Sequence, residues 1–240
     1  MEKDPIYLSM PPDILGKDAL WKLLKEYEFK TVLDIGAGAG AHSKILAESG
    51  KNVTAITLPD HILNEKTKDK VGIVWKSFIF DEETKGNVDL IAGDYMLTKF
   101  KKKFDCIWAS HILEHMLNPG LFLDKVYDDL TDTGILAISV PPNEKLVGGN
   151  HINNFSPEHL VYYLVMTGFD LTDMRLKTYG YNLSVICRKT PTILVNRSTS
   201  AGELVNRKNQ LPDYVNAAIE KYTAEHNGHE RIPNNIVYKW

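Results

Sequence analysis

The sequence predicts an α/β protein built on a largely parallel sheet with helices on both faces. Three observations predict it. Short apolar runs of strand length alternate with helical patterns between residues 17 and 190, a glycine-rich turn follows the first of those runs, and 240 residues suffice for one large core. Parallel neighbours need crossovers of a dozen or more residues, usually helices, and the alternation supplies them.

The first helix is "KDALWKLLKEY" (17–27), with Leu20, Leu23, Leu24 and Tyr27 at helical spacing. "TVLDIG" (31–36) reads as a buried strand and "AHSKILAESG" (41–50) as a helix closed by Gly50. Four further strands are "NVTAIT" (52–57), "VDLIAGD" (88–94), "FDCIWAS" (104–110) and "GILAISV" (134–140), with the helix "LNPGLFLDKVYDDL" (117–130) before the last. The stretch 71–86, "VGIVWKSFIFDEETKG", exceeds a simple connection and is expected to add a strand or hairpin.

After the fifth strand comes a polar loop, "PPNEKLVGGNHINNF" (141–155), then the helix "SPEHLVYYLVMTGF" (156–169). "DLTDMRLKTY" (170–179) and "YNLSVICRK" (181–189), joined through Gly180, are close enough to pair antiparallel at a sheet edge. Residues 1–190 therefore read as one domain with a cap loop at about 141–160, and 191–240 as an appendage with one helix, "PDYVNAAIEKYTAEH".

Composition narrows the class. Hydrophobic residues make up 43% and charged residues 25%, which excludes a disordered chain. With 28 basic against 31 acidic side chains the net charge is -3, so no overall field draws the protein to nucleic acid or anionic lipid. The basic run Lys99, Lys101, Lys102 and Lys103 reads as a solvated loop face. Cys106 and Cys187 lie in strand-like stretches and are expected as buried thiols, which fits a reducing compartment. "MEKDPIYLSMPPDIL" lacks a basic segment followed by an apolar core, and nowhere do about eighteen apolar residues run together. A cytoplasmic protein without membrane partners is expected, of undetermined oligomeric state.

"TVLDIGAGAG" sets bare backbone beside a helix N-terminus, where a ligand meets no Cβ atoms. Two cofactor classes fit such a loop. Gly36, Gly38 and Ala41 satisfy the dinucleotide spacing G-x-G-x-x-G/A, which admits an NAD-dependent oxidoreductase. Asp34 favours the other class, because a carboxylate repels pyrophosphate but attracts the ammonium of S-adenosylmethionine, which carries no phosphate. Asp34 also has an ordinary reading as a loop-capping side chain.

Over roughly residues 17–190 the chain resembles the class I S-adenosylmethionine-dependent methyltransferases of small-molecule type. The resemblance rests on "LDIGAGAG", on "AGDYM" after the third strand, on "FDCIWASHILEH" across the fourth and on "LTDTGILAISVP" around the fifth. It implies a Rossmann-like, seven-stranded sheet with the last strand antiparallel, and S-adenosylmethionine as cofactor. It further implies that Asp34, Gly36, Ala37 and Gly38 surround the methionine part and that Gly40 allows close approach of the helix. Asp94 would accept from the adenine amino group, Tyr95 and Met96 would flank the ring, and Ser110 and His111 would lie under the sulfonium. Members usually end the second strand with an acid that holds the ribose. Here Thr57 occupies that slot, with Asp60 three residues on.

Methyl transfer to a hydroxyl needs a base near the sulfonium. His151, in the loop after the fifth strand, is the first candidate, with His111 and His115 beside it. "HILEH" also reads as H-x-x-E-H, an inverted zinc-protease motif, but the parallel-sheet context already explains the segment and no metal is expected. Enzymes of this class that methylate exocyclic nitrogens of bases often carry an N/D-P-P-Y run after the fourth strand. This chain has "ASHI" there, and nucleic acid is not expected as acceptor. Asn150, Asn153, Asn154, Tyr179 and Tyr181 offer uncharged hydrogen-bonding groups and aromatic faces that suit a saccharide-type acceptor; the same residues equally serve to satisfy loop backbone. "HINNFSPEHL…GF…YGYNLSVICRK" is similar, more loosely, to methyltransferases of bacterial surface-polysaccharide pathways. A third reading, a cofactor-binding partner without activity, stays open because fold alone does not guarantee chemistry.

Overall fold

The computed structural model describes residues 4–59, 87–143, 150–190, 205–229, 231–234 and 236–240. Its centre is a seven-stranded sheet in the order β3-β2-β1-β4-β5-β7-β6. The strands are β1 (Thr31–Ile35), β2 (Asn52–Thr57), β3 (Val88–Ala92), β4 (Phe104–Ser110), β5 (Leu130–Val140), β6 (Phe169–Tyr179) and β7 (Asn182–Lys189). Strands β1 to β5 pair in parallel, and β7 lies antiparallel between β5 and β6. The expected hairpin or strand at 71–86 and Asp60 both fall outside the described residues.

The helices are α1 (Pro5–Ser9), α2 (Lys17–Glu26), α3 (Ala41–Glu48), α4 (Pro119–Asp129), α5 (Pro157–Thr167) and α6 (Asp213–Glu225). Their ends follow side-chain chemistry. Asn118 and Ser156 cap α4 and α5 by accepting from the backbone N–H groups of Leu121 and His159, each with proline in the next position. Helix α1, absent from the sequence reading, is a short helix capped by Asp4. Strand β5 starts at Leu130 rather than near residue 134, because α4 passes into it without a loop and its pairing with β4 is irregular between Phe104 and Cys106.

Alternation along each strand sends side chains to two cores. Leu33, Ile107, Leu136 and Ile138 pack with Leu123, Val126, Leu160 and Leu164 of α4 and α5. Val32, Cys106, Trp108 and Ala137 pack with Leu20, Leu23 and Leu46 of α2 and α3. Cys106 and Cys187 are buried free thiols, their pKa values raised by burial. The four lysines at 99–103 are exposed. Among the described residues no helix is long and apolar enough to cross a membrane.

The C-terminal segment is more closely bound than an appendage. Leu211, Val215 and Ile219 are buried in the α4/α5 core, and Trp240 packs against the opposite one. The Leu176 N–H of β6 donates to the Lys239 carbonyl at 2.8 Å, so the chain end is tied to the sheet edge.

Ile219 is 2% exposed. Ile219→Ala should cost about 2–5 kcal/mol of global stability in urea unfolding, with one cooperative transition. Two separate transitions would show that α6 folds apart from the sheet.

Candidate active site

From β1 the chain moves outward through β2 to β3, then crosses to β4 on the other side, so a crevice opens beyond the carboxyl ends of β1 and β4. A cavity of about 490 Å³ lies there, within the span of small-molecule sites. Its wall is built from Gly36 and Gly38 after β1, Thr57 and Leu58 after β2, Asp94, Tyr95 and Met96 after β3, and His111, Ile112, His115 and Met116 after β4.

The glycine turn is shaped by close approach. Gly36 has φ +72°, and a Cβ there would stand 1.9 Å from Ile112 Cδ1. Gly36 N and Ala37 N both donate to the Ile56 carbonyl, at 2.8 and 3.1 Å, which pins the turn to β2. Ala37 is buried and not on the cavity wall, its N–H already taken; Gly40 starts α3 and donates to the Ala37 carbonyl. Gly36 and Gly38 are thus the glycines of the motif that border the cavity, beside Ile35. A Cβ at Gly38 would find only the Gly36 carbonyl, at 3.8 Å, so the turn leaves open room for a ligand.

Asp34 does not face the cavity. Strand alternation places it on the α3 side with Val32, 1% exposed, where it accepts from Ser43 Oγ at 2.5 Å. The carboxyl group fastens α3 to β1 through this bond. Burial pushes its pKa up to about 7, against the lowering effect of the Ser43 hydroxyl and backbone N–H.

Thr57 is buried at the cavity edge, and Asp94 is the acid on the wall among the described residues. Asp94 Oδ1 accepts from Met96 N at 2.8 Å, so this carboxylate also caps the 3₁₀ turn Tyr95–Leu97 that carries Tyr95 and Met96. The Tyr95 hydroxyl donates to Asp129 at 2.9 Å, its ring packed against Phe100 and Phe122. Burial and the negative charge of Asp129 raise its pKa. The apolar rings beside one acid, next to bare glycine backbone, fit an adenosine joined to an amino-acid chain.

At the other end stand the histidines. His111, at φ +55°, and His115 border the cavity, whereas His151 lies behind His115, the two rings edge to face at 4.9 Å. Glu114 sits among them, 1% exposed, with Oε1 3.4 Å from His111 Nδ1 and 3.8 Å from His115 Nε2. In the sequence the local pattern that marks Glu114 is H-x-x-E-H. Ser110 leaves the set: its side chain points to the α2 face with Trp108, its Oγ 3.2 Å from where a Gly16 Cβ would be.

The proposed acceptor residues divide. Asn150, at φ +65°, borders the cavity and accepts from His115 Nδ1–H at 3.0 Å through its carbonyl. The Ile152 and Asn153 N–H groups both donate to the Glu114 carbonyl at 3.0 Å, and Asn153 Nδ2 donates to the Met116 carbonyl at 2.6 Å. Asn153 is therefore a staple for the loop, with its donors consumed. Tyr179 is likewise structural: its oxygen accepts from Ala19 N at 3.1 Å and pairs with Ser184 Oγ at 3.0 Å, and burial pushes its pKa up to about 12. Tyr181, 40% exposed, stacks on His111 with ring centres 5.8 Å apart, and Asn154 is exposed.

A family model described as a methyltransferase domain matches residues 17–184, well over half of the chain. Curated protein sequences give no match. Among solved structures, the chain is similar to human N-acetylserotonin methyltransferase in complex with SAM (17% identity, TM-score 0.54), covering 73% of this chain and 52% of that one. This chain thus spans about half the length of the human enzyme. It is also similar to the Burkholderia thailandensis 1,6-didemethyltoxoflavin-N1-methyltransferase with bound 1,6-didemethyltoxoflavin and S-adenosylhomocysteine (20%, TM-score 0.57, 72% and 77% covered). A third likeness is to magnesium protoporphyrin IX methyltransferase from Synechocystis PCC 6803 with bound SAH (14%, TM-score 0.55, 73% and 81% covered). At these identities the likeness is one of fold.

Asp34 generates a prediction about pH. Unfolded, it titrates at 3.8, whereas folded it titrates at about 7, so between these values the folded state keeps a proton that the unfolded state has lost. Its contribution to stability is full below about pH 4 and declines as pH rises to 7, by on the order of 4 kcal/mol. Asp34→Asn should remove that decline, measured by urea unfolding from pH 4 to 8; an unchanged slope would exclude Asp34 as its source.

Proposed function

From the premise that the chain belongs to the methyltransferase-domain family, whose cofactor is S-adenosylmethionine, we propose that it methylates a hydroxyl of a small polar acceptor, of which a saccharide-type metabolite is the class that fits. The single observation that carries this reading is the composition of one cleft. It joins an adenosine-like end of apolar rings and Asp94 to an end where two histidines border the same cavity. Family membership also retires the dinucleotide alternative, which rested on glycine spacing alone.

When bound, S-adenosylmethionine supplies a methyl group already activated by its sulfonium. The protein's own task is positioning and proton removal. Tyr95, Ile35, Ile56 and Phe122 give adenine an apolar slot, and Asp94 offers an acceptor to its amino group. The turn at Gly36 and Gly38 leaves room for the methionine chain. His111, whose Nε2 donates to Asn182 Oδ1 and leaves Nδ1 as acceptor, stands on the wall to take the proton of the incoming hydroxyl; His115 borders the same end, with His151 behind it. Asn150 at the edge and the exposed face of Tyr181 over His111 suit an uncharged, hydroxyl-rich molecule. The similar structures act on acceptors of different chemistry by their names, so fold does not choose the acceptor.

The test is incubation with methyl-labelled S-adenosylmethionine and a panel of sugars, phenols, amines and carboxylates, read by mass spectrometry. Label on a sugar hydroxyl is the expected outcome; label confined to amines or carboxylates would overturn the O-methyl assignment. Calorimetry with S-adenosylhomocysteine tests the premise, since no heat at high micromolar ligand would contradict the cofactor.

Asp94→Asn retains an oxygen to cap the 3₁₀ turn while removing the charge from the cavity wall. Its thermal stability should stay near wild type while affinity for S-adenosylmethionine and S-adenosylhomocysteine falls alike, on the order of tenfold, as loss of a charge-assisted hydrogen bond does. Unequal losses for the two ligands would contradict the adenine assignment.

A further inference from the structure

Glu114 is a buried acid that the hydrogen-bond network leaves unanswered. Neither carboxylate oxygen has a hydrogen-bond donor among the described residues. The neighbouring rings turn the wrong atoms toward it. His115 Nδ1 lies 3.0 Å from the Asn150 carbonyl, which can only accept, so the neutral ring carries its proton at Nδ1 and faces Glu114 with the Nε2 lone pair. His111 Nε2 lies 3.0 Å from Asn182 Oδ1, an atom identified as oxygen by the Gly16 N–H at 2.7 Å. The neutral His111 ring therefore also presents a lone pair, from Nδ1, to Glu114. A buried carboxylate ringed by lone pairs is costly unless a cation stands among them.

His151 completes a ligand set. One ligand atom from each of Glu114, His115 and His151 lies within 4.8 Å of the others. The loop that carries His151 is anchored to Glu114 itself through Ile152 N and Asn153 N, so the segments after β4 and β5 are locked in register at this point.

We infer that Glu114, His115 and His151 hold a divalent transition-metal cation. One carboxylate and two imidazoles are a donor set for Zn²⁺ and its first-row neighbours, and three protein ligands leave a coordination position for an outside oxygen. The Asn150 carbonyl on His115 Nδ1–H is the outer hydrogen bond that turns Nε2 to a metal. Ligand atoms around a tetrahedral ion at about 2.1 Å are about 3.4 Å apart, so binding draws these groups inward by on the order of 1 Å. His115 is the ligand of the three that borders the cavity, which brings the ion next to the acceptor end. There the cation binds the acceptor hydroxyl and lowers its proton affinity, and the proton passes to His111. This role rests on the methyl-transfer reading; the binding of the ion does not.

The experiment is titration of chelator-treated, dialysed protein with Co²⁺, followed by visible absorption. The expected result is one equivalent bound with intense bands of four- or five-coordinate Co²⁺, abolished by Zn²⁺. Glu114→Gln and His151→Ala should each weaken binding by roughly 100-fold or more, beyond the roughly 10–100-fold that loss of an outer partner costs. His151 lies in a partly exposed loop, so His151→Ala keeps the test decisive if Glu114→Gln fails to fold. The spectrum of aquated Co²⁺ at millimolar metal would overturn the site, and so would wild-type affinity in His151→Ala; the Glu114 charge would then be met by a protonated histidine. S-adenosylhomocysteine binding without Co²⁺ binding removes the metal site alone, whereas Co²⁺ binding without S-adenosylhomocysteine binding removes the cofactor reading alone.

Discussion

The reversal of strand order at β1 is the constraint on which the rest of the structure depends. Connections from β1 run one way to β2 and β3 and then the other way to β4 and β5, which opens a crevice beyond the carboxyl ends of β1 and β4. Most groups on the cavity wall come from the last residues of these strands or the segments just after them. The opening also explains the glycine turn. The loop after β1 must lie against β2, where one carbonyl, that of Ile56, holds two successive N–H groups, and it must pass beneath Ile112 without a side chain of its own.

Two buried carboxylates flank this opening and are treated in opposite ways. Asp34 receives donors from Ser43 and is held near neutrality by burial, so its energy is spent on joining helix to strand. Glu114, equally buried, receives no donor from the described residues and faces imidazole lone pairs. An acid with satisfied partners is explained by the fold; an acid without them asks for chemistry. The difference lies in neighbours and not in burial, since each is 1% exposed.

The loop after β5 shows how one segment serves both architecture and site. Asn153 and the backbone of Ile152 are consumed in stapling it to the turn after β4, and the staple brings Asn150 and His151 to His115. Polar residues that looked interchangeable in sequence therefore separate into those that hold the loop and those the loop presents. Tyr179 and Tyr181 separate in the same way: the first bonds α2 and β7, and the second lies across His111.

The sequence by itself determined the sheet, the helices from α2 onward and the glycine turn after β1, because apolar periodicity and glycine placement are local properties that burial and backbone sterics enforce wherever they occur. Strands β2 and β4 coincide with their apolar runs, and β7 pairs antiparallel as its short connection required. The direction of individual side chains was not legible to the same depth. Asp34 and Ser110 sit at strand ends where one residue of phase decides which face is reached, and both point away from the cavity. Tertiary structure alone decided that the end of the chain would join both cores and that Glu114 would lie among three histidines. The reason is physical: a hydrogen-bond partner or a missing one is a relation between segments distant in sequence, and no periodicity within either segment records it.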